Sequence, residues 1–208
     1  MFITLEGPDG SGKSTQINPL ADFLKGQGYL VLITREPGGT EIGDQVRLIL
    51  SDLKNTGMNP RTETLLFLAA RAQLVHQVIK PHLKDGYIVL CDRYADSTMA
   101  YQGYGHQNDL EQIKILINFA TGGLKPDLTL LLDMDVEEGL KRKAEGSEWN
   151  RLDAYSLEFH QRVRQGYHKL AASEPERWVK IEAGGSTDAV QATLRQVVQG
   201  RLITPVSS

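Results

Sequence analysis

Gly7-Pro8-Asp9-Gly10-Ser11-Gly12-Lys13-Ser14-Thr15, directly after the apolar run Phe2-Ile3-Thr4-Leu5, is the stretch that decides the fold. It fits G-x-x-x-x-G-K-[ST] and stands between a strand pattern and a helical one, the setting in which that spacing builds a phosphate-binding loop. The residue types follow from the chemistry. Glycines let backbone N–H groups turn inward around phosphate oxygens, where side chains would obstruct the approach. The helix opening near Lys13 adds the partial positive charge of its N-terminus. Lys13 is expected to span the β- and γ-phosphates, and the Ser14 hydroxyl to ligate Mg²⁺. A chain of this length matches the pattern by accident only about once in a hundred, so all nine residues, Gly7 through Thr15, are taken as candidate ATP-binding residues. Pro19 should kink the following helix or remove one of its hydrogen bonds.

Outward from the loop, short apolar runs alternate with longer helical patterns, which predicts βαβ units and an α/β fold. Strands are expected at Phe2–Leu5, Tyr29–Thr34, Tyr87–Cys91, Leu128–Asp133 and Trp178–Ile181. Nearly unbroken apolar runs such as Leu128-Thr129-Leu130-Leu131-Leu132 are what strands covered on both faces require. Helices are expected near Lys13–Gly26, Glu41–Leu50, Thr62–Leu83, Ser97–Tyr104, Leu110–Thr121, Val136–Lys143, Ser156–Ser173 and Thr187–Val198. The result is a doubly wound, five-stranded parallel sheet, with ligands beyond the carboxyl ends of the strands. Residues 1–208 read as one domain, and Thr204 to Ser208 are expected to fray.

Composition narrows the function. Hydrophobic residues at 40% and charged ones at 24% describe an ordinary globule. A formal charge of −3 argues against a general nucleic-acid binder but not against a local phosphate pocket. The single cysteine, Cys91, excludes an internal disulfide and favours a reducing compartment. No apolar run approaches the ~20 residues of a membrane span, and the N-terminus runs straight into a strand pattern without a charged leader. The expected location is the cytoplasm, with no membrane or nucleic-acid partner.

A phosphate loop alone does not separate a kinase from a GTPase, an ATPase or a motor. Asp92-Arg93-Tyr94 follows the third strand, where a carboxylate would hold Mg²⁺ directly or through water. Arg93 beside it suits a phosphate caught between donor and acceptor, because its planar fork binds phosphate oxygens bidentately. No guanine-reading Asn-Lys-x-Asp segment occurs, which argues against a GTPase. A non-catalytic scaffold would be expected to lack Lys13, Asp92 or Arg93.

Together, Gly7–Thr15 with its Asp in third position, Thr34-Arg35-Glu36-Pro37-Gly38-Gly39-Thr40 and Asp92-Arg93-Tyr94 resemble the thymidylate kinases, from about Phe2 to Asp153. The resemblance implies a P-loop nucleoside-monophosphate kinase that converts dTMP to dTDP with ATP and Mg²⁺, acting as a homodimer. Arg35, at the mouth of the second strand, could hold the acceptor phosphate, and Glu36 lies in the segment that lines the monophosphate site in that family. Phe67 and Arg71 share a helix face; periodicity alone would put Phe67 in the core, whereas the resemblance implies a ring that stacks on the base, with Arg71 as a donor to its O4. Thr98 and Gln102 resemble positions that read the pyrimidine edge. Tyr101 resembles the residue that crowds a ribose 2′-hydroxyl.

The lid is expected at about 141–154. Members of the family that lack a basic residue after the loop Asp, as Gly10 shows here, carry the phosphate-contacting arginine in this lid. Arg142 is the first choice and Arg151 the second. Asp9 is expected to orient Arg93 or a Mg²⁺-bound water. Readings that remain are a deoxynucleoside kinase, or a nucleoside-monophosphate kinase for another base. Arg35, next to Glu36, favours an acceptor that already carries a phosphate.

Overall fold

A computed structural model describes residues 1–146 and 149–203. Among these, five parallel strands form one sheet in the order β2-β3-β1-β4-β5. β1 (Phe2–Glu6) is buried along its whole length. It pairs with β3 (Ile88–Asp92) on one side and β4 (Leu128–Asp133) on the other. β2 (Val31–Arg35) lies outside β3, and β5 (Trp178–Glu182) outside β4.

Successive strand residues face opposite layers. Ile3, Leu5, Ile88, Leu90, Leu128, Leu130 and Leu132 meet α1 (Lys13–Gly26) and α9 (Thr187–Ile203). Phe2, Val89 and Cys91 point the other way, against Leu74, Val75 and Ile79. Four strands run one residue further toward their carboxyl ends than expected, so Glu6, Arg35, Asp92 and Glu182 belong to the ladder. Tyr29 and Leu30 lie before β2 and are exposed.

α1 continues past Pro19 without interruption. The ring removes one N–H, while Ile17, Leu20, Ala21 and Leu24 hold the helix in the core. Glu41–Ser51 forms α2, capped by the Thr40 hydroxyl on Gly43 N–H. The single helix expected over Thr62–Leu83 is three pieces: α3 (Pro60–Leu74), a wide π turn (Val75–Ile79) and α4 (Lys80–Lys84). The wide turn directly precedes Pro81, whose ring in a regular helix would strike the carbonyl of Gln77.

The helix expected over Ser97–Tyr104 is likewise α5 (Ala95–Thr98) running into a π stretch, Met99–Gly105. α6 (Leu110–Thr121) carries the expected Asp109 cap. α7 (Val136–Glu145) and α8 (Leu157–Ser173) flank the lid segment. The expected fraying of Thr204 to Ser208 and the lid residues Ser147 and Glu148 lie outside the described residues. Among the described residues no helix is long and apolar enough to cross a membrane.

Candidate active site

The carboxyl ends of β1, β3 and β2 are neighbours in the sheet, and each leads into a loop that bears one of the sequence motifs. These loops open on a cleft of about 970 Å³. Its walls include Gly185, Thr187 and Val190 as well as Phe67, Thr98 and Gln102.

At the centre, Gly7, Gly10 and Gly12 take positive φ angles of 145°, 75° and 87°, which glycine adopts without a steric cost. A Cβ on Gly7 would strike the carbonyl of Leu132, and one on Gly10 the carbonyl of Gly139 on α7. Asp9 through Thr15 line the cleft, while Gly7 and Pro8 lie behind them. Lys13 Nζ is buried and donates to Gly7 O (3.0 Å), Pro8 O (2.8 Å) and Ser11 Oγ (3.2 Å). Burial, with the Arg93 guanidinium nearby, pulls its pKa down to about 8. Ser14 Oγ donates to Asp92 Oδ2 at 2.7 Å. A hydroxyl and a carboxylate at the mouth of the loop are the hard oxygen donors that Mg²⁺ accepts, with the remaining positions left to phosphate and water.

Arg93 lines the cleft with its backbone in the left-handed region, at φ 68°, a costly conformation for a residue with a Cβ. The neighbouring hydrogen bonds hold it there: Arg93 N–H donates to Leu5 O at 3.0 Å, and Tyr94 N–H to Glu6 Oε1 at 2.8 Å. Its Nη1 donates to Gly7 O (3.0 Å), Tyr167 OH (3.1 Å) and Ser97 Oγ (3.3 Å). Its Nη2 donates to Asp9 Oδ1 (2.6 Å) and Tyr101 OH (3.1 Å). Tyr101 OH in turn donates to Asp9 Oδ2 at 2.6 Å. Burial alone would raise the pKa of Asp9, but Arg93, Lys13 and the Tyr101 hydroxyl hold it down at about 2.

Glu6, Ser97 and Tyr167 escaped sequence reasoning. Glu6 Oε2 accepts from Ser97 Oγ (2.6 Å) and Tyr167 OH (3.0 Å), the two hydroxyls that also take Arg93 Nη1. Burial and the nearby Asp96 raise the Glu6 pKa to about 7. A polar residue inside an otherwise apolar strand was the one available signal, and Tyr167, far along the chain, had none.

On the acceptor wall, Phe67 is half-buried beside Thr98, Tyr101 and Gln102, and exposed Arg35 faces the same space. Arg71 is largely committed to the protein itself. It is 1% exposed and sits behind this wall, donating through Nε and Nη2 to Glu36, through Nη2 to Tyr94 O and through Nη1 to Thr98 Oγ. Glu36 is thus an ion-pair partner of Arg71 as well as a cleft residue. Arg47, from α2, lines the acceptor end and donates to Pro37 O at 3.1 Å.

In the lid, Arg142 is exposed, pairs with Glu138 and lines the cleft with Lys143. Arg151 has other partners in this structure. Its side chain is 4% exposed and donates to Glu63 Oε2 (2.6 Å), Leu50 O (2.9 Å) and Tyr155 OH (2.8 Å). In this arrangement the guanidinium anchors the end of the lid on a buried carboxylate.

A family model described as thymidylate kinase matches residues 5–194. The thymidylate kinases of Roseiflexus castenholzii and Geotalea daltonii are 52% and 50% identical to this chain, over 96% and 97% of it and 93% and 97% of their own lengths. The crystal structure of thymidylate kinase from Ehrlichia chaffeensis is similar with a TM-score of 0.79 and 37% identity, covering 96% of this chain and 98% of that one.

Proposed function

The chain belongs to the thymidylate kinase family, and we propose that Arg93 and Lys13 align its two substrates, ATP and dTMP, along the central cleft. The enzyme transfers the γ-phosphoryl group of ATP to dTMP, giving ADP and dTDP. The observation that carries the assignment of roles is Arg93, bonded to both Gly7 O and Asp9 of the phosphate loop and lining the same cleft as Phe67, Thr98 and Gln102.

Lys13 leaves the loop carbonyls for the β- and γ-phosphates when ATP enters. Ser14 and Asp92 hold Mg²⁺, which offsets negative charge on the donor phosphates when bound. Asp9 and Tyr101 keep the Arg93 fork turned toward the space between donor and acceptor, where it holds phosphate oxygens of both. Arg35, with Arg47 nearby, neutralises the acceptor phosphate. Phe67 stacks on the base, and Thr98, Arg71 and Gln102 read its edge. Four of the five Arg71 N–H bonds are used by Glu36, Tyr94 O and Thr98, and the remaining one, on Nη1 beside Thr98, serves O4 of thymine. Tyr101 lies under the sugar. Arg142 closes from the lid over the transferring group and helps exclude water, a competing acceptor.

The protein works as a homodimer in the cytoplasm. Leu48 on α2 is 72% exposed, and Ile115 and Phe119 on α6 are 69% and 87% exposed; large apolar side chains in water are what an interface with a second copy would cover.

A coupled ADP-release assay across dTMP, dUMP, UMP, dCMP, AMP, GMP and thymidine tests the acceptor assignment. The highest kcat/KM belongs to dTMP, with dUMP lower by about 10-fold, since one methyl group supplies only ~1–3 kcal/mol. Strongest turnover of thymidine would identify a nucleoside kinase instead.

A further inference from the structure

We propose that Glu63, a buried carboxylate behind the acceptor wall, selects pyrimidines that carry a hydrogen at N3 by dictating which way the Gln102 amide faces. The inference rests on Gln102 reading the base edge.

Glu63 is wholly buried and accepts four hydrogen bonds. Oε1 takes Gln102 Nε2 at 2.8 Å and His106 Nε2 at 3.1 Å. Oε2 takes Arg151 Nη2 at 2.6 Å and Tyr155 OH at 2.8 Å. A carboxylate paired with a guanidinium only accepts, so the end of the Gln102 amide that faces it must be the NH₂ group. Burial would raise the Glu63 pKa, but bonds from His106, Gln102 and Arg151 hold it at about 2, so the acceptor-only state persists at neutral pH.

The Gln102 carbonyl is left for the cleft that the residue lines. Thymine and uracil offer a donor at N3, whereas cytosine offers an acceptor there that opposes the carbonyl. Thr98 matches the same pattern. Its Oγ accepts from Arg71 Nη1 at 2.9 Å, and its own hydrogen remains for an acceptor such as O4. The orientation of that amide, set from behind by Glu63, therefore adds a reading of N3 to the donors at O4 in separating the two pyrimidine classes.

In Glu63→Gln, the single remaining oxygen is claimed by Arg151, which only donates. The new NH₂ then turns to Gln102 and reverses its amide. The test compares kcat/KM for dTMP, dUMP and 5-methyl-dCMP, the last of which keeps the thymine methyl. The dTMP to 5-methyl-dCMP ratio is expected to fall by about tenfold or more, while the dTMP to dUMP ratio stays within about twofold of the unmutated enzyme. Glu63→Asp keeps the charge for Arg151 but withdraws the oxygens from Gln102; it should also lower the first ratio, and it decides the matter if Glu63→Gln does not fold. Gln102→Ala separates the premise from the inference. If that variant leaves the first ratio unchanged, the base-edge assignment of Gln102 is wrong. If Gln102→Ala lowers the ratio while the Glu63 variants lose turnover equally on all three acceptors, Glu63 does not set specificity and the inference is overturned.

Discussion

Arg142 and Arg151 stand in one short, charged stretch and offer the same functional group, yet their surroundings give them opposite duties. Among the described residues Arg142 is held only by an exposed i, i+4 pair with Glu138, which contributes little, so this pair does not stop it turning toward an incoming phosphate. Arg151 is enclosed by Glu63, Leu50 O and Tyr155, and removing one partner of a buried ion pair costs about 3–5 kcal/mol. Arg142→Ala should therefore lower kcat by about 10³-fold or more while leaving the urea midpoint near that of the unmutated protein. Arg151→Ala should lower the midpoint sharply. Steady-state kinetics and urea melts on both variants decide the matter; an Arg142→Ala enzyme with full kcat would remove Arg142 from the reaction.

At the scale of elements, the phosphate loop and α7 touch backbone to backbone. A Cβ on Gly10 would enter the Gly139 carbonyl, and a Cβ on Gly139 the Asp9 carbonyl. The helix that begins the lid is thus seated on the residue that clasps Arg93. A methyl group at this contact forces the two elements apart, an overpacking of about 1–3 kcal/mol. Gly139→Ala should lower Tm by about 2–4 °C per kcal/mol and weaken ATP binding, because Asp9 shifts with the loop. Scanning calorimetry and ATP titration measure both effects, and unchanged values of both would deny the contact. The π stretch after α5 acts at the same scale. It carries Tyr101 and Gln102 into the cleft while Thr98, at the end of the regular turns, meets Arg71.

For the whole molecule, large apolar side chains remain in water on α2, α3 and α6, which pack side by side: Leu48, Leu65, Ile115 and Phe119. A second copy covering this face accounts for Phe119, the most exposed of them. Light scattering should give a mass twice that of the 23.1 kDa chain, and Phe119→Glu should shift it toward the monomer. A monomeric mass for the unmutated protein at micromolar concentration would rule the dimer out.

The phosphate loop, the parallel strands and the Asp92-Arg93 pair were legible in the sequence because each rests on local rules: glycine conformations, apolar runs and spacing along one element. Where a side chain is spent was not legible. Tyr167 reaches Glu6 and Arg93, and Glu63 reaches Gln102 and Arg151, across long sequence separations, and no local pattern encodes a partner that distant. Only packing the helices against the sheet decided that Arg151 is an anchor, that Arg71 stands behind the wall and that Arg93 holds a left-handed backbone, because a buried charge goes wherever the fold places its counter-charge.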